Sequence, residues 1–186
     1  MMRIDNPIRM TIRILAVSSL LGVAALTMNA ESAGGLSWTA PAGWKSQPQQ
    51  MRAANYVIPA TTGDSEGGEC GVYFFGPGQG GSVEANVERW IGQFRAPGGG
   101  VAEGLAKRSS ETINGIKVTT VDVSGTYMFK AFPMAREATP KPGYRMLAAI
   151  AEGPDGPIFF KLTAPKASTD AAEKDFRKML ATLAKR

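Results

Sequence analysis

From Leu36 onward, apolar residues recur with two different periods. Short runs rich in aromatic and β-branched residues, each ended by Gly or Pro, read as strands. LSWTAPAGW (36–44) predicts a short strand and a Pro-Gly turn anchored by Trp38 and Trp44. Residues 55–58 and 70–75 predict two more strands, the second ended by Gly76-Pro77. From Ser82 the period lengthens. Val83, Val87, Ile91 and Phe94, with Trp90 beside them, predict one face of an amphipathic helix. Ser82 suits its N-cap. Glu84 and Glu88 lie early and Arg95 late, as the helix dipole favours, and Pro97-Gly98-Gly99-Gly100 stops it.

Two hairpins follow. Asn114-Gly115 separates β-rich runs, and a type I′ turn with φ > 0 at both central residues explains that pair. Residues 144–152 and 158–164 form the second hairpin, turned by Gly153-Pro154-Asp155-Gly156. A last helix presents Ala172, Phe176, Met179, Leu180 and Leu183 on one face, with Ser168 or Thr169 as cap. Asp170 and Glu173 open it, and Lys185 and Arg186 close it. MLAAIA (146–151) and PIFF (157–160) are apolar at successive positions, which point to opposite sides of a sheet. Both sides therefore need cover. The expected fold is α+β, a central antiparallel sheet flanked by two amphipathic helices.

The first thirty residues carry a different pattern. Arg3, Arg9 and Arg13 precede a thirteen-residue apolar run, 14–26, and small residues follow. That order is a secretory signal peptide, and the run falls short of the roughly 20 residues of a membrane span. Cleavage is expected after Ala30 or Ala33, with Met10 as an alternative start. No cysteine follows the run to carry a lipid, and no twin arginine precedes it. The organisation expected is a signal peptide, 1–30, then one domain, 31–186. The destination is the periplasm or the cell exterior, with no transmembrane segment once the signal is removed.

Charge narrows the partners. The whole chain carries +5, and residues 31–186 hold 18 basic and 15 acidic residues, a formal +3. The basic residues are scattered, without the clustered footprint of a nucleic-acid binder. Cys70 is the only cysteine, so no internal disulfide is possible. It lies among aromatics and reads as a buried strand residue, unreactive in the folded state.

The run GPGQGG fits G-x-G-x-x-G at Gly76, Gly78 and Gly81. A dinucleotide site needs that loop inside a βαβ unit, with an acid about 20 residues on. Here a hairpin follows the helix instead. A phosphate loop needs GKS where GGS stands. The run is read as a flexible strand-to-helix link, and no nucleotide is expected. The chain has no histidine, which removes Ser-His-Asp and Cys-His activation and most zinc and iron sites. No catalytic residue, metal ligand or cofactor site is assigned. Carboxylate-only chemistry stays open. Asp64, Glu66 and Glu69 read as loop acids, and Asp122 as a strand acid.

Residues 127–143, YMFKAFPMAREATPKPG, read as a seventeen-residue connection, longer than the usual hairpin loop of 2–5 residues. Its first half is too apolar to stay solvated. Either those residues cap the sheet as core, or they form an adaptable contact surface. The candidate surface is Phe129, Phe132, Met134 and Arg136, with Lys130 also at its rim.

The order of elements, opening with a strand and the turn Pro41-Ala42-Gly43-Trp44, resembles the PsbP-like group. Residues 73–94, 121–127 and 142–157 also resemble uncharacterised exported bacterial proteins. The first resemblance implies a central antiparallel sheet with helices and an accessory or binding role; it carries over no site residue. The function expected is a non-catalytic binding or accessory protein of the cell envelope. Its partner would be an envelope protein or an apolar small ligand. The alternatives are a small carboxylate-dependent hydrolase or lyase, or a purely structural envelope protein.

Overall fold

The computed structural model describes residues 30–132 and 135–186. Apart from Ala30, the expected signal segment lies outside those residues, as does Met134. The main sheet has eight strands: β3 (Lys45–Ser46), β4 (Ala54–Ile58), β5 (Gly68–Tyr73), β6 (Phe94–Arg95), β7 (Lys107–Ile113), β8 (Ile116–Phe129), β9 (Thr139–Gly153) and β10 (Gly156–Pro165). Their order is β3-β4-β5-β10-β9-β8-β6, and β7 also pairs with β8. A small second sheet joins β1 (Ala30–Ala33), β2 (Leu36–Thr39) and β11 (Ala184–Lys185). The two helices are α1 (Val83–Ile91) and α2 (Lys166–Ala181). The class is α+β, mostly antiparallel sheet with two helices.

Alternation along β9 sorts the core into two clusters. Met146, Ala148 and Ile150 pack with Val87, Trp90 and Ile91 of α1. Leu147, Ala149 and Ala151 pack with Ala172, Phe176, Met179 and Leu180 of α2. Full burial of a large side chain such as Phe160 or Ile150 contributes roughly 1.5–3 kcal/mol. Cys70 is fully buried in the α2 cluster, and burial pushes its thiol well above the usual range. On the same face, Trp38 Nε1 donates to the Tyr56 hydroxyl at 2.8 Å.

Both predicted turns form. Asn114 and Gly115 have φ of 50° and 75°, and Ile113 faces Ile116 across them. Gly153 faces Gly156 across Pro154-Asp155. Ser82 caps α1, its hydroxyl accepting from Ala85 N–H.

Four boundaries differ from expectation. First, α1 ends at Ile91, and Phe94 and Arg95 form β6 against Tyr127 and Thr126. The helix is stopped by Gly92 rather than by the later Pro-Gly run. Second, α2 begins at Lys166, ahead of both expected caps. The Ser168 hydroxyl donates to Asp64 of the β4–β5 loop, and the Thr169 hydroxyl turns back to the Ala164 and Pro165 carbonyls. Third, Leu183 is buried but lies past the helix, and Lys185 pairs with Leu36 in β11 instead of closing α2. Fourth, the long connection is mostly strand. β8 runs on to Phe129 and β9 starts at Thr139, leaving residues 130–138 as the link. Pro140 and Pro142 concealed that extension. They sit where β9 pairs only with β8, because β10 ends opposite Tyr144, so the missing N–H groups interrupt no ladder on the far side.

Two acids also change role. Glu69 lies in β5, not in a loop. Asp122 receives two hydrogen bonds from Arg145, at 2.7 and 2.9 Å. Arg145 also pairs with Asp170 and Glu173 at 2.7 Å, tying β8 and β9 to α2.

Candidate binding surface

The glycine-rich loop lies between β5 and α1, yet every pairing among the described strands is antiparallel. The parallel crossover that a dinucleotide fingerprint needs is therefore not the setting of this loop. α1 covers one face of the main sheet.

α1 is nine residues long and the strands beneath it run well past it. Period-two alternation brings Tyr73 to that face at the end of β5, with Phe75 just past it, and Tyr127 and Phe129 at the end of β8. Tyr73 and Phe75 stack with ring centroids 6.1 Å apart and planes 15° apart. Phe75 then meets Phe159 at 5.6 Å, and Trp90 of α1 meets Phe159 edge-on at 6.2 Å. On the other side Tyr127 touches Phe94, Phe129 and Tyr144. Phe75 and Phe129 are 45% and 38% exposed, so the aromatic layer opens to solvent at both ends.

Cations interleave the rings. Arg52 lies 5.3 Å from the Tyr73 centroid, Lys161 5.3 Å from Tyr127, and Lys141 5.1 and 5.4 Å from Phe129 and Tyr144. Such contacts are worth about 0.5–1 kcal/mol when exposed and more when desolvated. Arg52 is matched by Glu69 at 2.9 Å and Lys141 by Glu66 at 2.8 Å. That second pair ties the β4–β5 loop to the start of β9 and holds the Glu66 carboxyl below its usual range.

Lys161 differs. Its cross-strand neighbours are Gly71 and Ala148, which leave its stem uncrowded. Its ammonium donates to Gln93 Oε1 at 2.6 Å and faces the Tyr127 ring, and no described carboxylate pairs with it. Burial pushes this amine down to about 8; Glu69 opposes the shift, and Arg89 and Arg52 add to it.

Two glycines permit this arrangement. A Cβ on Gly125 would lie 2.4 Å from the Arg95 carbonyl oxygen, so only glycine lets β6 approach the bulge in β8. A Cβ on Gly71 would lie 2.7 Å from the Tyr73 hydroxyl, which folds back over its own strand beside Lys161.

Of the residues singled out in sequence, Phe129 belongs to this surface. Phe132 follows it in the link and is 61% exposed, so it is not core cover. Arg136 is exposed, and Met134 lies outside the described residues. Sequence reasoning missed Tyr73, Tyr127, Tyr144, Lys141 and Lys161. The i, i+2 pairs Tyr73/Phe75 and Tyr127/Phe129 were the available signal.

The opposite face carries an open groove of about 310 Å³ between α2 and β7–β8, with Ile113, Leu147, Phe176 and Leu180 as its apolar lining. Among the described residues, no group of three His, Cys, Asp or Glu side chains is placed to hold a metal ion. No helix of the described residues is long and apolar enough to cross a membrane.

No protein-family model matches the chain. No curated protein matches it either. Solved structures do. A Pseudomonas aeruginosa protein of unknown function aligns over 86% of this chain and 97% of its own, at 15% identity and a TM-score of 0.48. Cyanobacterial PsbP (CyanoP) from Synechocystis sp. PCC 6803 aligns over 92% of this chain and 99% of its own, at 11% identity and a TM-score of 0.51. With its antiparallel sheet, its two helices and the turn at Pro41–Trp44, the chain has a PsbP-like fold.

Proposed function

We propose that the protein is exported and acts as a non-catalytic binding or accessory module of the cell envelope. The partner-binding surface is the aromatic and basic sheet face, continued by the exposed Phe132 and Arg136. The observation that carries this reading is the open aromatic layer. Phe75, Phe129 and Phe132 stay exposed where burying them would stabilise the fold, which marks a contact surface.

Export rests on the basic, apolar and small-residue zones of residues 1–30, ahead of one domain spanning 31–186. The pairing of Ala33 with Leu36, and the bond from Arg186 to the Ser32 hydroxyl, support cleavage after Ala30 rather than Ala33. The later cut would remove an edge of the small sheet.

The carboxylate-enzyme alternative draws less support. A general acid needs a raised pKa. Glu66 and Glu173 are instead held low, first by their hydrogen bonds to Lys141 and Arg177. Asp64 is occupied with Ser168, and Asp122 with Arg145.

The test is recovery of cross-linked envelope partners by the tagged, exported protein and by a Phe129→Ser, Phe132→Ser double variant. The reading expects a discrete partner or ligand with the native chain, lost in the variant, with melting still cooperative. Equal recovery by both chains would place the binding surface elsewhere.

A further inference from the structure

Lys161 sets a problem that the rest of the fold does not solve. The amine is partly buried, carries no carboxylate, and shares its side of the sheet with Arg52 and Arg89. Arg52 is already matched by Glu69, and Arg89 is held by Asn86. The ammonium has three N–H groups. Gln93 takes one and the Tyr127 ring faces the charge, which leaves donor capacity on the ammonium. Two residues along the same strand face, Thr163 is more than nine-tenths buried and its hydroxyl has no hydrogen-bond partner. Buried polar atoms are rarely left in that state. On the other side of Lys161, the Tyr73 hydroxyl lies over Gly71, the cross-strand neighbour of Lys161, and the Tyr73 ring stacks on Phe75, which is almost half exposed.

We infer that Lys161 and the rings around it form a binding site for a small aromatic carboxylate. The ligand carboxylate accepts from the Lys161 ammonium and supplies the charge that the face lacks. Its ring extends the Tyr73–Phe75 stack and uses apolar surface that water now covers. A single negative charge suits the site, because Arg52 is already neutralised by a close acid. A bare inorganic anion would leave the rings unused, and an uncharged aromatic would leave the ammonium unmatched. This inference rests on the proposed role of the face and names a ligand class for it.

Binding should also be coupled to protonation. The charged groups facing Lys161 are Glu69 from β5, Arg52 ahead of β4 and Arg89 from α1, with the phenols of Tyr73 and Tyr127 also at hand. Above pH 8 part of the Lys161 population is neutral, and a bound carboxylate draws a proton back.

The experiment is calorimetric titration of the mature chain with benzoate, phenylacetate, 4-hydroxybenzoate and indole-3-acetate. Acetate and benzyl alcohol serve as controls. At pH 7 at least one aromatic carboxylate should saturate with Kd below about 1 mM, at least tenfold tighter than either control. At pH 8.5, comparison of buffers with different ionisation enthalpies should show proton uptake on binding. Lys161→Met should weaken binding at least tenfold with no loss in Tm, while Lys161→Arg should retain most of it. Absence of saturable binding by all four carboxylates, or equal binding by Lys161→Met, would overturn the inference. If that happens while the Phe129/Phe132 variant still loses its partner, the surface stands and only the ligand class is wrong.

Discussion

Replacing Lys161 by Met should make the protein more stable at neutral pH. The native amine is held at about 8, against about 10.4 for a free lysine. Its charged form is therefore disfavoured in the fold by about 3 kcal/mol, since each tenfold loss of proton affinity corresponds to about 1.4 kcal/mol. The sign follows from linkage. Below pH 8 both folded and unfolded states carry the proton, and the full cost is present. Between pH 8 and about 10.4 the unfolded chain binds more protons, so stability rises with pH. Methionine keeps the length and apolar stem but cannot carry the charge. It also loses the bond to Gln93, worth about 1 kcal/mol. The net expectation at pH 6.5 is a gain of about 2 kcal/mol. By pH 9.5 the native chain has recovered about that amount and the difference closes. Cys70, whose thiol burial pushes up, adds an opposing slope at high pH. That slope is common to both chains and cancels in the difference. Urea unfolding of both proteins at pH 6.5, 8 and 9.5 measures the gap. A less stable Lys161→Met at pH 6.5, or a gap unchanged with pH, would refute the reasoning.

Arg145→Ala should cost about 3 kcal/mol in urea unfolding at pH 7, because three carboxylates lose one buried base. The loss should shrink below pH 4. There Asp170 and Glu173, held below their usual range in the native chain, take up protons and the native pairs weaken too. Gly125→Val drives a Cβ into the Arg95 carbonyl and should cost about 1–3 kcal/mol. Hydrogen exchange should show faster loss at Met128, whose N–H donates to Gln93 across that junction. Cys70 should react with a thiol reagent far more slowly in the native than in the denatured chain, and equal rates would contradict its burial.

The readable parts of this fold were local. Asn114-Gly115 and Ser82 each announce a backbone conformation within four residues, and the structure has both. MLAAIA announced two buried faces, because alternation makes successive apolar residues visible as such. What the sequence concealed was set by distant partners. Tyr127 to Phe129 looked like loop because proline-rich sequence follows, but their ladder is supplied by the strand beginning at Thr139. The partner of Lys185 is Leu36, almost the whole chain away. Phe129 could be picked out by its exposed apolar company. Lys161 could not. Its character depends on Gly71, Ala148, Gln93 and Tyr127, which only the sheet register brings together.

The central claim is that the aromatic and basic face meets a partner in the envelope. In-cell photo-crosslinking tests it most directly. A photoreactive phenylalanine analogue replaces Phe132 in one strain and Leu105 in another. Both positions are exposed, and Leu105 lies in the short 3₁₀ turn at Glu103–Leu105, outside the proposed surface. A discrete adduct from position 132 and none from position 105 is the predicted result. Adducts from both positions alike, or from position 105 alone, would contradict the claim.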